Sequence, residues 1–385
     1  MRVGILAHGP ATHPTGVPRA SMELMHALLQ LPDAPEIVVL GDEDLGAVDA
    51  RHLDLVRVRL PARLSPVARG VRRSLGLRIS HLTCVAGWLP TVARQHRLDV
   101  IHDFTGLAPF PRRLPSTLAV ATLHDLVSHR RKSTNDVLDD LIQRRWLRWA
   151  LRHVDAVVTV SDTVSADVRR IFGLPGTPVV AVPHGVDHQL RLADGPAPEC
   201  ELARPYLLAV GVTSERKNMQ ALVRAASPHW RAGRLPPLVM VGPEGPVLRR
   251  VLDAARQLGV QDFVSSAGYV PDRALGAYYE AAVALVYPSV DEGFGLPVLE
   301  AMAHGTPVLT AAGGATAEVA GDAALLVDPH SEESLAEGLL QIAHDSRLRA
   351  ELVRRGALRA AEFSWRRSAR TLIGLYTELL EAPCG

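Results

Sequence analysis

What constrains this 385-residue chain most is a repeated pairing: a short β-branched or apolar run that stops at glycine or a polar turn, then a longer stretch with helical spacing. That alternation marks βαβ units, which close into parallel sheets covered on both faces. In the first half the runs are Arg2 to Ala7, Glu36 to Leu40, Leu55 to Val58, Val100 to His102, Leu118 to Thr122, Ala156 to Val160 and Val179 to Val182. Amphipathic stretches such as Pro18 to Leu31 and Asp136 to Arg152 lie between them. Around Leu192 to Pro205 the pattern lapses into Asp194-Gly-Pro-Ala-Pro-Glu-Cys200, a linker by composition. A second series follows: Tyr206 to Val210, Pro237 to Val241, Phe263 to Ala267, Ala284 to Tyr287, Pro307 to Thr310 and Ala324 to Val327.

The expected fold class is therefore α/β, with two doubly wound, Rossmann-like domains facing across a cleft. Their expected bounds are 1–190 and 206–363, with a linker at 191–205. Residues 364–385 form a last helix, with Ser364 as N-cap and a stripe of Leu372, Ile373, Tyr376, Leu379 and Leu380. That stripe suits packing on either domain, a return to the N-terminal one included.

Charge narrows the function classes. The net charge is +1, with no strongly basic domain, so no nucleic-acid partner is expected. Residues 1–190 carry a surplus of five positive charges and the remainder a surplus of four negative ones. Only Lys132 and Lys217 are lysines, against 40 arginines, which makes a lysine worth inspecting. Cys84, Cys200 and Cys384 are far apart and form neither a disulfide framework nor a zinc knuckle. No signal-peptide h-region and no membrane-length apolar run is present, so a cytoplasmic location is expected.

The segment richest in chemistry runs from Tyr287 to Val308. A buried strand stops at Pro288, a loop with Gly293 and Gly295 follows, Pro297 opens a short helix, and Gly305 ends it. Such glycines admit close approach of backbone N–H groups to a ligand, and the helix aims its positive end at the same place. Glu292 in the loop and Glu300 in the helix put two carboxylates near this strand end, on separate elements because Pro297 intervenes.

The stretch from Glu292 to Glu300 resembles the E-x7-E signature of retaining glycosyltransferases of the GT-B fold, family 4. Gly211-Val-Thr-Ser-Glu-Arg-Lys-Asn218 is similar to that family's G-x-L-x-x-R-K-N segment, and Pro183-His-Gly-Val-Asp187 to its P-N-G-V-D. Gly268-Tyr-Val-Pro-Asp272 and Glu318-Val-Ala-Gly-Asp322 resemble two further blocks, and Leu123-His-Asp-Leu126 resembles a mannosyltransferase-like branch. The resemblance implies a nucleotide-sugar donor that is a substrate, no cofactor, no metal, and a sugar, lipid-linked or small-molecule acceptor. It implies that Arg216 and Lys217 hold the donor diphosphate, that Glu300 accepts from the ribose hydroxyls, and that Glu292 contacts the transferred sugar. Gly293, Phe294, Gly295 and Leu296 would border sugar or phosphate. His124 would contact the donor sugar or reaction centre, with Asp125 orienting it or capping the next turn, and Gly16 would bring the first loop near the diphosphate. This chain departs from the family in having a single glycine at Thr15-Gly16, His184 in place of asparagine, and Gly313-Gly-Ala-Thr-Ala-Glu318 where the mannosyltransferase-like branch has serines.

Three other readings stand beside this one. Asp42-Glu-Asp44 imitates a D-x-D metal motif, but an exposed acidic turn is the strongly favoured reading of it. A dinucleotide-dependent oxidoreductase would need G-x-G-x-x-G, and Val298 stands where the third glycine belongs. A catalytically silent GT-B partner subunit or sugar-nucleotide-binding protein would keep the fold without turnover. Peripheral membrane contact through Arg144-Arg-Trp-Leu-Arg-Trp-Ala-Leu-Arg152 is weighed against core packing of Trp146 and Trp149, which is favoured. The oligomeric state is open.

Overall fold

A computed structural model of the chain describes residues 1–6, 16–41, 56–59, 77–126, 137–187 and 205–382. It divides into two compact units: Met1–His184 with Trp365–Gly385, and Gly185–Ser364. The linker expected at 191–205, its last residue Pro205 excepted, and the Asp42-Glu-Asp44 motif lie outside the described residues.

Unit 1 alternates β1 (Arg2–Leu6), α1 (Val17–Leu29), β2 (Glu36–Gly41), β3 (Val56–Arg59), α2 (Leu77–Gln95), β4 (Val100–Asp103), β5 (Leu118–Leu123), α3 (Val137–Ala150), β6 (Ala156–Thr159), α4 (Asp162–Phe172) and β7 (Val179–Ala181). All strand pairs are parallel, in the order β3-β2-β1-β4-β5-β6-β7. Strands buried on both faces need no polar alternation, which is why β4 and β6 are buried at every position. Local chemistry sets the helix ends: Ser161 accepts from the Val164 N–H at the start of α4, and Gly173 closes it at φ 56°.

The last helix, α12 (Trp365–Glu381), belongs to unit 1. Its residues Trp365, Ala369, Leu372, Leu375 and Tyr376 join Val3, Ile5, Met25 and Leu28 in one core. Leu380, expected in the stripe, is instead 44% exposed, while Leu379 beside it packs against this core. Ala369 and Trp365 complete the buried face one and two turns before Leu372. The Tyr376 hydroxyl reaches into the sheet, 2.6 Å from His102 Nδ1, and His102 Nε2 lies 2.7 Å from the Thr122 hydroxyl. Burial, and less so the nearby His124, lowers the His102 pKa to about 3, so the ring stays neutral.

Unit 2 contains β8 (Leu207–Val210), α5 (Met219–Arg231), β9 (Leu238–Val241), α6 (Pro246–Gln257), β10 (Val264–Gly268), α7 (Asp272–Ala281), β11 (Ala284–Tyr287), α8 (Leu296–Ala303), β12 (Val308–Ala311), α9 (Gly314–Ala320), β13 (Leu325–Val327), α10 (Glu332–His344) and α11 (Ser346–Ala361). Its sheet is parallel, in the order β10-β9-β8-β11-β12-β13. The order reverses between β8 and β11, a switch point of the kind at whose strand ends open α/β sheets bind ligands.

Candidate functional site

The loops that leave β8 and β11 carry the acids and bases singled out above. After β8 the chain makes a short 3₁₀ turn, Glu215–Lys217, ended by Asn218 at φ 62°. After β11 it passes through Ser289, Val290 and Asp291 to Glu292. The main chain joins the two loops: the Arg216 carbonyl oxygen accepts from Val290 N–H at 2.9 Å and from the Ser289 hydroxyl at 3.0 Å. Arg216 Nη1 returns a bond to the Asp291 carbonyl oxygen at 2.9 Å.

The side chains converge on Glu292. Its Oε1 accepts from Lys217 Nζ at 2.6 Å, the Ser289 hydroxyl at 2.7 Å and the Tyr287 hydroxyl at 3.0 Å. Its Oε2 accepts from Arg216 Nη1. Lys217 also donates to the Tyr287 hydroxyl and lies 4.4 Å from the centre of its ring. Lys217 is 8% exposed, so it is no basic surface turn. Burial pushes the Glu292 pKa up, but the neighbouring charges of Lys217 and Arg216 outweigh that and hold it below the ordinary carboxylate value. Burial and the Glu292 charge push Tyr287 well above the ordinary phenol, keeping it a neutral donor. The cations expected to meet a diphosphate are thus already engaged by the acid expected to meet the sugar.

The rest of the loop reaches α8 through Gly293, Phe294 and Gly295. Gly295 stands before the helix at φ 112°, a conformation that favours glycine, and an added Cβ would lie 3.0 Å from Thr316 Cγ2, which would have to give way. Phe294 is buried and meets Phe363 edge-on at 6.0 Å. Leu296 begins α8, Pro297 sits in its first turn, and Glu300 lies buried within it. Glu300 Oε2 accepts from the Tyr279 hydroxyl at 2.8 Å.

His124 and Gly16 belong to unit 1. His124 follows β5, and its Nε2 lies 2.8 Å from the Phe104 carbonyl oxygen. A carbonyl only accepts, so Nε2 carries the proton and Nδ1 is the basic nitrogen of the neutral ring. Asp125 is exposed beside it. His124 lines a pocket with Ser21, Phe104, Thr122, His184 and Trp365, and the His184 ring lies between those of His124 (6.0 Å) and Trp365 (5.3 Å). Gly16 precedes α1 at φ 61°, ψ −121°, a conformation that glycine takes without strain; Thr15 lies outside the described residues.

The core placement favoured for both tryptophans of α3 holds for neither. Trp149 is 43% exposed, because its position falls on the solvent side of the helix with Arg145 and Arg148. Trp146 is half-buried and donates its indole N–H to the Leu107 carbonyl oxygen at 3.2 Å. No helix among the described residues is long and apolar enough to cross a membrane. Among them no group of three or more His, Cys, Asp or Glu side chains could hold a metal ion.

Sequence reasoning did not assign Tyr287, Ser289 or Tyr279. Tyr287 and Ser289 flank the proline that ends β11, so a hydroxyl-bearing residue on either side of a strand-terminating proline was the available signal. Tyr279 comes from another helix, and nothing in the spacing linked it to Glu300.

Comparison with known proteins bears on the family and the fold. The family described as Glycosyltransferase Family 4 matches residues 14–190, and that described as Glycosyl transferases group 1 matches residues 198–359. O-antigen chain mannosyltransferase B of Escherichia coli is 31% identical over 69% of this chain and 71% of its own length. A D-inositol 3-phosphate glycosyltransferase of Thermobispora bispora is 31% identical over 74% and 72%. Among solved structures, a sucrose-phosphate synthase from Thermosynechococcus elongatus superposes with a TM-score of 0.74 over 98% of each chain at 22% identity. With two parallel doubly wound units, an Arg-Lys pair and Glu292 at a strand-order reversal, and relatives of this kind, the chain belongs to the family 4 glycosyltransferases of the GT-B fold.

Proposed function

We propose that the protein is a retaining, metal-independent hexosyltransferase that takes its sugar from a GDP- or UDP-linked donor, a GDP-mannose-like one being favoured. The acceptor is a glycan, a lipid-linked sugar or a small molecule, and the reaction takes place in the cytoplasm without a cofactor. The observation that carries this reading is the Glu292 carboxylate held between Lys217 and Arg216 where the strand order of unit 2 reverses. The relatives named for mannosyl transfer and for glycosyl transfer to D-inositol 3-phosphate support it.

In this reading the donor diphosphate binds Arg216 and Lys217, whose charges offset the charge that develops on the departing nucleotide. Arg216, the more exposed of the two, is reached first. Glu300 accepts from the ribose hydroxyls, and the Gly293–Leu296 segment borders sugar and phosphate. Glu292 meets the transferred sugar, and so does His124, with the Gly16 loop near the diphosphate. The bond from the anomeric carbon to the phosphate oxygen breaks as the acceptor hydroxyl attacks from the same face. The leaving phosphate takes the hydroxyl proton, which preserves the anomeric configuration.

The test is a mass-spectrometric screen of nucleotide sugars for protein-dependent hydrolysis or transfer, with the product anomer read by NMR. Turnover lost in Glu292→Gln and Lys217→Ala, and kept in chelator, is the expected result. Donor binding without turnover against a broad acceptor panel would instead support the silent-subunit reading. Near-normal rates in the two folded variants would remove the site assignment.

A further inference from the structure

Glu300 is held by a side chain that the reading above does not use. Tyr279 is fully buried in α7 and donates its hydroxyl to Glu300 Oε2 at 2.8 Å. The phenol is itself clamped by the chain that follows Glu300. Its ring stacks on His304, with centroids 5.7 Å apart and planes 13° apart. The Tyr279 carbonyl oxygen accepts from the Thr306 hydroxyl at 2.8 Å, and His304 Nδ1 lies 3.1 Å from Glu280 Oε1. Gly276, one turn before Glu280, completes the clamp. A Cβ there would lie 2.7 Å from His304 Cε1, so the missing side chain is what lets the imidazole lie against α7.

The circuit is closed in a particular way. The segment that carries Glu300 also supplies His304 and Thr306, which fix the residue that fixes Glu300. A glutamate side chain has three torsions, and a hydroxyl from a second helix removes most of that freedom before any ligand arrives. Recognition of a vicinal diol by one carboxylate depends on that freedom being gone, since both hydroxyls must be accepted at hydrogen-bond distance at once.

We propose that Tyr279 is a positioning residue for nucleotide recognition: its hydroxyl holds the Glu300 carboxylate in the orientation that accepts the ribose hydroxyls of a ribonucleoside diphosphate. This rests on the donor reading above, in which Glu300 takes the ribose. The contact strengthens ground state and transition state alike, so its loss appears in KM and leaves kcat nearly unchanged.

The experiment is calorimetric titration of the full chain and of Tyr279→Phe, Gly276→Ala and Glu300→Gln with GDP and UDP and with their 2′-deoxy analogues. The full chain prefers the ribonucleotide. A hydrogen bond to a charged group is strong, so Tyr279→Phe lowers ribonucleotide affinity about ten-fold and leaves the 2′-deoxy analogue within about two-fold. Gly276→Ala, which displaces the imidazole without touching the phenol, moves the ratio in the same direction by less, and serves where Tyr279→Phe folds poorly. Equal loss for both analogues, or an unchanged ratio in Tyr279→Phe while Glu300→Gln abolishes the preference, overturns the role of Tyr279. An unchanged preference in Glu300→Gln overturns the ribose assignment itself, and failure of the full chain to bind any nucleoside diphosphate overturns the donor reading.

Discussion

Replacing Glu292 by glutamine keeps its shape and removes its charge, which isolates the electrostatics of the site. The carboxylate and the Lys217 side chain are 8% and 10% exposed, so water can do little to compensate either one left alone. Breaking a buried pair from one side costs about 3–5 kcal/mol. Arg216 is 25% exposed and stays partly hydrated, which puts the expected loss near the lower end, about 3 kcal/mol. For a unit of about 180 residues that is a fall of roughly 6–12 °C in Tm. Lys217→Met should cost about 2–3 kcal/mol, since Arg216 still faces the carboxylate. The double variant Glu292→Gln with Lys217→Met removes the pair instead of half of it, and should lie within about 2 kcal/mol of the parent. Scanning calorimetry of the four proteins gives the coupling, and all three variants should be inactive. Single variants within about 1 kcal/mol of the parent, or a double variant whose loss equals the sum of the two, would refute the argument.

Acid should weaken unit 1 through His102. Its pKa falls from 6.5 to about 3 on folding, so below pH 6.5 the unfolded chain takes up a proton that the folded one refuses. Stability is therefore lost from about pH 6.5 down towards pH 3, by at most about 5 kcal/mol, and urea midpoints for unit 1 that are flat across that window would exclude it. Gly295→Ala should destabilise unit 2 by about 1–3 kcal/mol and weaken nucleotide binding, whereas Gly245→Ala, at an extended φ of −178° with open space around it, should change Tm very little. Leu372→Ala, at a fully buried position of α12, should cost about 2–5 kcal/mol, and Leu380→Ala, exposed on the same helix, less than about 0.5; equal denaturant midpoints would contradict the packing described.

The strands were the legible part of this chain. All thirteen strands among the described residues lie within a residue or two of their apolar runs, and β4, β6, β9 and β11, buried at every position, have no polar alternation to blur their ends. Helix α2 left a fainter trace, since Pro90 falls inside it where a proline ordinarily ends a helix. The α12 stripe was right at Leu372 and Tyr376 and wrong at Leu380, since periodicity gives the face of a helix and not where the edge of that face falls. Trp149 fails for a related reason: α3 already buries Leu147 and Ala150, with Leu151 buried just past its end, and an aromatic residue beside them in sequence can fall on the other face. At the site, the residues within one loop were readable from glycine, proline and acid spacing. The hydroxyls of Tyr287 and Tyr279 were not, because what they do depends on contacts between elements.

The least legible feature is the pairing of Glu292 with its own cations, and it changes how the site should be understood. Read from sequence, Arg216 and Lys217 wait for phosphate while Glu292 waits for sugar. In the folded unit the three are one buried network, anchored by the Ser289 and Tyr287 hydroxyls and by the bonds from Val290 and Ser289 to the Arg216 carbonyl oxygen. Desolvating a guanidinium and an ammonium is costly, and here a carboxylate offsets that cost while the protein folds, before any ligand binds. An arriving dianionic diphosphate would then meet cations already fixed in direction, Lys217 largely stripped of water and Arg216 partly so, exchanging partners with Glu292 without having to dehydrate both in full. The same network explains why the acid remains ionised though buried: the charges of Lys217 and Arg216 lower its pKa more than burial raises it. Its stabilising charge is present above the ordinary carboxylate range and is lost only as the pH falls through the depressed value, so at neutral pH Glu292 acts as a fixed anion and as a hydrogen-bond acceptor, not as a proton donor.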